Sequence, residues 1–493
     1  MNSVKTLGVS VVVILLIIFS SCRKDDVFVG EDPSITTSLD TLTFDTVFTQ
    51  VGSATRFLKI YNNEPKDITV SVRIEKPQTS FFRLNVDGIA GTEVEDVRIG
   101  GNDSIYVFAD VNVDPDQPVS VSPFIIEEQL IVSTSGGEQS VLLEAWGQNA
   151  NYIPGKRQKG QQYRFSCNQM QEVWDDPKPY VIYGIMLLDS CELVLPAGTD
   201  VYVHGGVVVN SESIYNDGFI LVTNTAKVTA NGTVADPVTF QGDRLEMTFD
   251  DSAGQWVGIR LLSGSTGNSF KHTYIKNSIV GLRADSLAEV RFDNCEIKNT
   301  TASGLIGVHA QIEANNMLIH SNGQNAVTIA QGGNYDFNYC TFASYGNQAP
   351  ALSMNNYLIY PVEDADDVII VNPLAARITN TIVTGNDLDE ISLEDATEGQ
   401  AGFFDYQFNN SIVSVDELLD NNLFPDFFDN CNNCTRSVFG DVLFVDTDLP
   451  DYHLDSLSVA EGLATPLSAI TTDLDENVRD ATTPDVGCYE YQY

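Results

Sequence analysis

Six stretches of the chain share one register: Phe270-Lys271-His272-Thr273-Tyr274-Ile275, Phe292-Asp293-Asn294-Cys295-Glu296-Ile297, Ala314-Asn315-Asn316-Met317-Leu318-Ile319, Phe337-Asn338-Tyr339-Cys340-Thr341-Phe342, Ile378-Thr379-Asn380-Thr381-Ile382-Val383 and Phe408-Asn409-Asn410-Ser411-Ile412-Val413. Their starts lie 22, 22, 23, 41 and 30 residues apart. A unit of about 22 residues made of strand and turn is one rung of a parallel β-helix. No such rung buries its inward face alone, so the core comes from stacking. The longer intervals require insertions, among them the acidic stretch Asp387 to Glu398. The third position is Asn in four rungs, Asn294, Asn316, Asn380 and Asn410. Asn tolerates the left-handed backbone, and stacked amides can bond along the axis, so this column reads as a structural ladder. The fourth position (Thr273, Cys295, Met317, Cys340, Thr381, Ser411) is expected to point inward. Cys295 and Cys340 are then two rungs, roughly 9–10 Å, apart. A disulfide needs Cα atoms within about 7 Å, so free buried thiols are expected.

A second register supplies the candidate site. Gly258-Ile259-Arg260, Gly281-Leu282-Arg283, Gly307-Val308-His309, Ala326-Val327-Thr328 and Ala351-Leu352-Ser353 recur along the same region. Strand alternation points Ile259, Leu282, Val308, Val327 and Leu352 inward and their neighbours outward. Arg260, Arg283 and His309 are thereby predicted to form an outward column, with Asp285 and Gln311 beside it. Cations on a flat β-face suit sugar carboxylates or sulfates, which guanidinium binds bidentately. With Arg or His as base, such a column suits a uronate lyase. The alternative is a polar outer face on which Arg283 simply pairs with Asp285.

The 493 residues hold 68 acidic and 26 basic side chains, a net charge of −42. That balance repels phosphate backbones and excludes DNA and RNA as partners. The length suffices for more than one domain, and the chain is expected to be all-β. Residues 35–148 carry strand-like runs, Leu42 to Phe44, Phe57 to Tyr61, Ile68 to Ile74, Ile105 to Val113 and Ile125 to Val132. Turn signals such as Asn62-Asn63, Asp87-Gly88 and Gly136-Gly137 punctuate them. This spacing predicts an immunoglobulin-like β-sandwich with a spacer role. Residues 149–162 are polar, hold Lys156, Arg157 and Lys159, and read as a linker. Residues 163–493 are assigned to a right-handed, single-stranded parallel β-helix.

At the N-terminus, Lys5 precedes an apolar run from Val9 to Phe19 that is too short for a bilayer span of roughly 20 residues. It leads into Phe19-Ser20-Ser21-Cys22. This resembles a bacterial lipobox, with Phe19 where the family usually has Leu, Val or Ile. The resemblance implies that residues 1–22 are a lipoprotein signal peptide. Cys22 then carries acyl chains, and several chains make a stable anchor in the outer-membrane lipid. Arg23-Lys24-Asp25-Asp26 resembles the surface-export signal of Bacteroidetes lipoproteins and opens a tether over residues 23–34. The order SLDTLTFDTVFT, LKIYNNEPKDI, FFRLNVDG, NDSIYVFADVNVDP and EAWGQ resembles the sandwich module of such lipoproteins. Trp174 to Ile182, Leu193 to Val203, Val228 to Phe240 and Gln255 to Ile259 resemble the opening coils of the pectate-lyase-like superfamily. The last residues, TTDLDENVRDATTPDVGCYEY, resemble the closing segment of Bacteroidetes β-helix lipoproteins, with Cys488 where Ala is commoner. The resemblance covers nearly the whole mature chain and specifies architecture, because this fold hosts lyases, hydrolases and binding proteins.

Other motifs are weaker. Cys431 and Cys434 suit a local disulfide better than half a zinc site, because no second CxxC or His pair completes one. Cys167 and Cys191 form another candidate pair. Asp473-Leu474-Asp475-Glu476-Asn477 matches only the first half of a calcium loop, which leaves Ca2+ unsupported and no cofactor expected. Asp250-Asp251 is the nearest acid pair in its half, and His204-Gly205-Gly206 reads as a turn. Neither the paired-aspartate and Gly-His-Gly pattern of polygalacturonases nor the calcium-carboxylate cluster of pectate lyases is present. The expectation is a surface protein that binds a polysaccharide or another surface protein without catalysis. Its alternative is a lyase or hydrolase acting on an acidic glycan.

Overall fold

The computed structural model describes residues 33–48, 53, 55–112, 124–154, 160–209, 213–245, 249–362, 367–420, 424–438 and 440–492. The residues expected to form the signal peptide, Cys22, most of the expected tether, and Lys156, Arg157 and Lys159 of the expected linker lie outside the described residues. The chain divides into two compact units, residues 1–149 and 150–493.

The first unit is a β-sandwich of two five-stranded sheets. One sheet orders its strands Ile35–Thr37, Arg56–Asn62, Ser104–Val111, Phe82–Val86 and Ile89–Gly91. The other orders them Thr41–Phe48, Gly137–Gln148, Phe124–Thr134, Ile68–Ile74 and Glu93–Ile99. Alternation builds the core. In Arg56–Asn62, Leu58 and Ile60 are fully buried, as are Val70 and Val72 in Ile68–Ile74 and Val107 in Ser104–Val111. The intervening side chains face out, as a period of two requires.

The second unit is a parallel β-helix whose strands belong to one 26-stranded sheet wound on three faces. The register read from the repeat is the register of the structure. Phe270 pairs with Phe292, Phe292 with Ala314, Ala314 with Phe337, Phe337 with Ile378, and Ile378 with Phe408. These residues form one buried column, with Phe270 and Phe292 stacked at 5.4 Å. Thr273, Cys295, Met317, Cys340, Thr381 and Ser411 are buried as expected, and Cys295 and Cys340 are free thiols. Burial pushes both thiols up to about 12, so they stay neutral.

The stack begins earlier than the linker assignment placed it. Asn151–Ile153 already pairs with Tyr180–Tyr183, and Gln162–Phe165 with Ile185–Leu188. Polar composition hid these first strands because each is capped by only one neighbour. Among the described residues, antiparallel pairs outside the coil are Gly206–Val209 with Ile214–Asp217, Tyr357–Tyr360 with Val368–Val371, and Phe444–Asp446 with Asp451–Leu454.

Asn294, Asn316, Asn380 and Asn410 take φ of 54°, 50°, 53° and 47°, the left-handed corner expected of them. Their side chains do something the repeat did not announce. The C-terminal segment runs back along the coil, and this column holds it. Asn410 Nδ2 donates to Leu463 O (3.2 Å), Asn380 Nδ2 to Thr465 O (2.8 Å), Asn316 Nδ2 to Thr472 O (2.9 Å) and Asn294 Nδ2 to Asp473 O (3.2 Å). Asn316 Nδ2 also bonds along the axis to Asn294 Oδ1 (3.0 Å), Tyr339 occupies the corner between Asn316 and Asn380, and the Asn380 and Asn410 amides are spent on the C-terminal segment instead. An axial ladder runs one position earlier, through Asn315–Asp293 (2.8 Å), Asn338–Asn315 (3.2 Å) and Asn432–Asn409 (2.9 Å). Arg479 locks the segment. Its guanidinium is buried on the Tyr339 ring and donates to Asn316 Oδ1, Gly487 O and Glu490 Oε2.

Candidate functional site

The structure brings three of the four candidate residues together and separates the fourth. Arg260 and Arg283 are adjacent on one face, paired in register between Leu221 and Ile306. Each donates its Nε to a different oxygen of Asp285, Arg260 to Oδ2 and Arg283 to Oδ1, both at 2.7 Å. The Asp285 side chain is only 8% exposed. One carboxylate is therefore consumed by two guanidinium groups in a closed, flat triad.

His309 does not continue the column. Ile306, Thr328, Ser353 and Ser392 do. Pairing shifts between Val308 and Ala310, His309 sits at φ 50°, and its Nδ1 lies 3.0 Å from Ser286 Oγ. The stretch Gly304 to His309 contains two Gly-x-x units, and packing selects the first. A Cβ on Gly281 would meet Gly304 O at 2.5 Å, so these two glycines stack in direct backbone contact. Leu305, not Val308, is consequently the inward residue. Gln311 belongs to a different face, between Glu289 and Asn334.

The remaining titratable candidates are structural. Asp250 pairs with Lys276 at 2.9 Å and Asp251 accepts from Asn299, so the acid pair is divided between two supports. His204 Nδ1 lies 2.6 Å from Asp243 Oδ2 and ties one rung to the next. Glu390, whose carboxyl burial pushes up to about 7, is sealed from solvent, and its oxygens accept from the Ala351 and Asp387 N–H groups. Glu296 is held down to about 2 against its burial by His320 and Lys298. Asp473 accepts from the N–H groups of Asp475, Asn477 and Glu490 and from the Asn477 amide, which occupies the lone pairs a calcium ion would need. Among the described residues no cluster of His, Cys, Asp and Glu is arranged to hold a metal. Cys431 and Cys434 form a disulfide, as do Cys167 and Cys191.

A concave surface lies elsewhere on the β-helix. A cleft of about 640 Å³ opens where the last long strand, Phe404–Asn409, meets the short helix Phe427–Asn430. Its floor is aromatic: Phe404 and Tyr406 are 5.9 Å apart, Phe404 and Phe424 6.2 Å, and Tyr406 stacks on Phe427 at 5.9 Å. Asp395, Glu398 and Asp426 line the rim, and no Lys or Arg lines it among the described residues. Asp395 is engaged by Asn356, Thr397 and Gly399, whereas Glu398 and Asp426 are exposed. Sequence reading missed this cleft because its aromatics sit at inward positions, where they look like ordinary core.

No family model and no curated protein matches the chain. Among solved structures, the catalytic unit of the GH87 α-1,3-glucanase of Streptomyces thermodiastaticus is 11% identical over 72% of this chain and 73% of its own, with a TM-score of 0.28. PapD-like domain 7 of human CEP192 is 8% identical over 27% of this chain and 97% of its own, at 0.19. A protein of unknown function from Porphyromonas gingivalis is 16% identical over 29% of this chain and 59% of its own, at 0.18. These scores carry no argument about activity, and the fold stands on its strand pairing.

Proposed function

We propose that the protein is a lipid-anchored, outward-facing outer-membrane protein whose β-helix binds neutral glycan without processing it. One observation supports the non-catalytic part: Arg260 and Arg283 both donate to the Asp285 carboxylate, so the predicted cation column offers no free acid or base beside its guanidinium groups. The ligand class follows from the aromatic cleft. The partly exposed rings of Phe404 and Phe424 can cover the apolar face of a sugar, and the exposed Glu398 and Asp426 carboxylates can accept from its hydroxyls. A chain of net charge −42 repels polyuronates, which turns the reading away from acidic glycans. The anchor rests on Ser20-Ser21-Cys22 and the Lys24-Asp25-Asp26 sequence beyond it.

Two experiments test this. Incubated with polygalacturonate, the full chain is expected to release no unsaturated product; release would reinstate the lyase. In cells, the protein is expected to be cleaved by protease added outside and to become soluble on Cys22→Ser. Resistance in intact cells with cleavage after lysis would remove the surface assignment.

A further inference from the structure

The outer face of the sandwich is built unlike a spacer. Outward positions on Arg56–Asn62 and Ser104–Val111 are Phe57, Lys59 and Tyr61, then Ser104, Tyr106, Phe108 and Asp110. None is aliphatic. Phe57, Tyr106 and Phe108 are 52%, 41% and 39% exposed. The three rings form one patch: Phe57 lies 5.5 Å from Tyr106 and 6.0 Å from Phe108, and Tyr106 and Phe108 are 5.8 Å apart with planes within 15°. Lys59 Nζ sits 4.6 Å from the centre of the Tyr106 ring. The patch runs into a groove of about 580 Å³ that Phe108 shares with Thr55, Arg83, Asn85 and Asp110. Arg83 spends its Nε on Asp110 at 2.7 Å while 64% of its side chain remains exposed.

We infer that this face is a second glycan-binding site, taking a neutral polysaccharide chain across the Phe57–Tyr106–Phe108 platform and into the adjoining groove. Several exposed rings beside amide, hydroxyl, guanidinium and carboxylate groups match a pyranose, whose faces are apolar and whose edges carry hydroxyls. An anionic chain is disfavoured by the net charge of −42. The inference rests on the glycan-binding reading only for its ligand class.

The test is retardation of the full-length protein in native gels containing dextran, barley β-glucan, galactomannan or polygalacturonate. Retardation is expected with a neutral polymer. Phe57→Ala combined with Tyr106→Ala is expected to weaken it about tenfold or more. Phe57→Tyr, which keeps the ring, is expected to retain it and serves as the folding control. A cleft variant, Glu398→Gln with Phe424→Ala, separates the two sites. If that variant abolishes retardation while the platform variant leaves it intact, the sandwich site is wrong and the cleft stands; the converse removes the cleft and supports the platform. Retardation by polygalacturonate alone, or a platform variant that only dissolves a dimer in sedimentation, overturns the inference.

Discussion

The asparagine column and the arginine pair stand on the same coil, and both are vertical alignments of like residues. The asparagines occupy a corner that backbone geometry forces into the left-handed region, and their amides are spent on a segment that must be held. Arg260 and Arg283 sit on a flat strand face where nothing constrains them except each other's charge and Asp285. Repetition at the corner thus reflects a requirement of the chain path. Repetition on the face reflects a local charge balance, and it ends as soon as Ile306 replaces the next cation.

The largest effect is expected where the clasp converges. Arg479→Leu removes the donor to five acceptors at once, Asn316 Oδ1, Thr472 O, Asp485 O, Gly487 O and Glu490 Oε2, and leaves Glu490 buried without its cation. It should destabilise the β-helix unit by about 3–5 kcal/mol in denaturant titration. A loss below about 1 kcal/mol would mean the C-terminal segment is not integral to the coil. Asn316→Ala strips the bond to Thr472 O and an acceptor from Arg479, and places Ala at φ 50°. A cost of about 1–3 kcal/mol is expected. Asp285→Ala should cost about 1 kcal/mol, because the arginines are over a third exposed and solvent screens them. If it instead abolished glycan retardation, the face would be a site after all.

Smaller still is a pH effect. His453 lies between Asp451 (2.6 Å) and Asp475 (2.9 Å), hydrogen bonds that push it up to about 9 from 6.5. The proton is held more tightly in the folded state, so this stabilisation is complete below about pH 6.5 and disappears as pH rises through about 9. With half the side chain exposed, the contribution should stay under about 1 kcal/mol, and His453→Gln should flatten the profile between those values. His309→Ala, outside the arginine column, is expected to leave glycan retardation unchanged; a clear loss would contradict the register found here.

Much of this was legible beforehand. Phe292, Ala314 and Phe337 announced the stack, because a core that exists only between rungs must repeat its inward residues. The site was less legible. The second Gly-x-x in Gly304 to His309 looked as good as the first, since both supply a glycine before an apolar residue. Only the contact between Gly281 and Gly304 distinguishes them. The sandwich platform was written in the alternation of Phe57, Tyr61, Tyr106 and Phe108 with Leu58, Ile60, Ile105 and Val107. Outward aromatics in strands are common enough that only their convergence marks a surface.

The amino-acid order by itself determined the coil, its corners and its buried thiols, because these follow from local periodicity and from what each backbone angle admits. Tertiary structure alone decided which charges meet, where the C-terminal segment lies and where rings gather at a surface. Those depend on distances between residues far apart in the chain, and no local pattern encodes them.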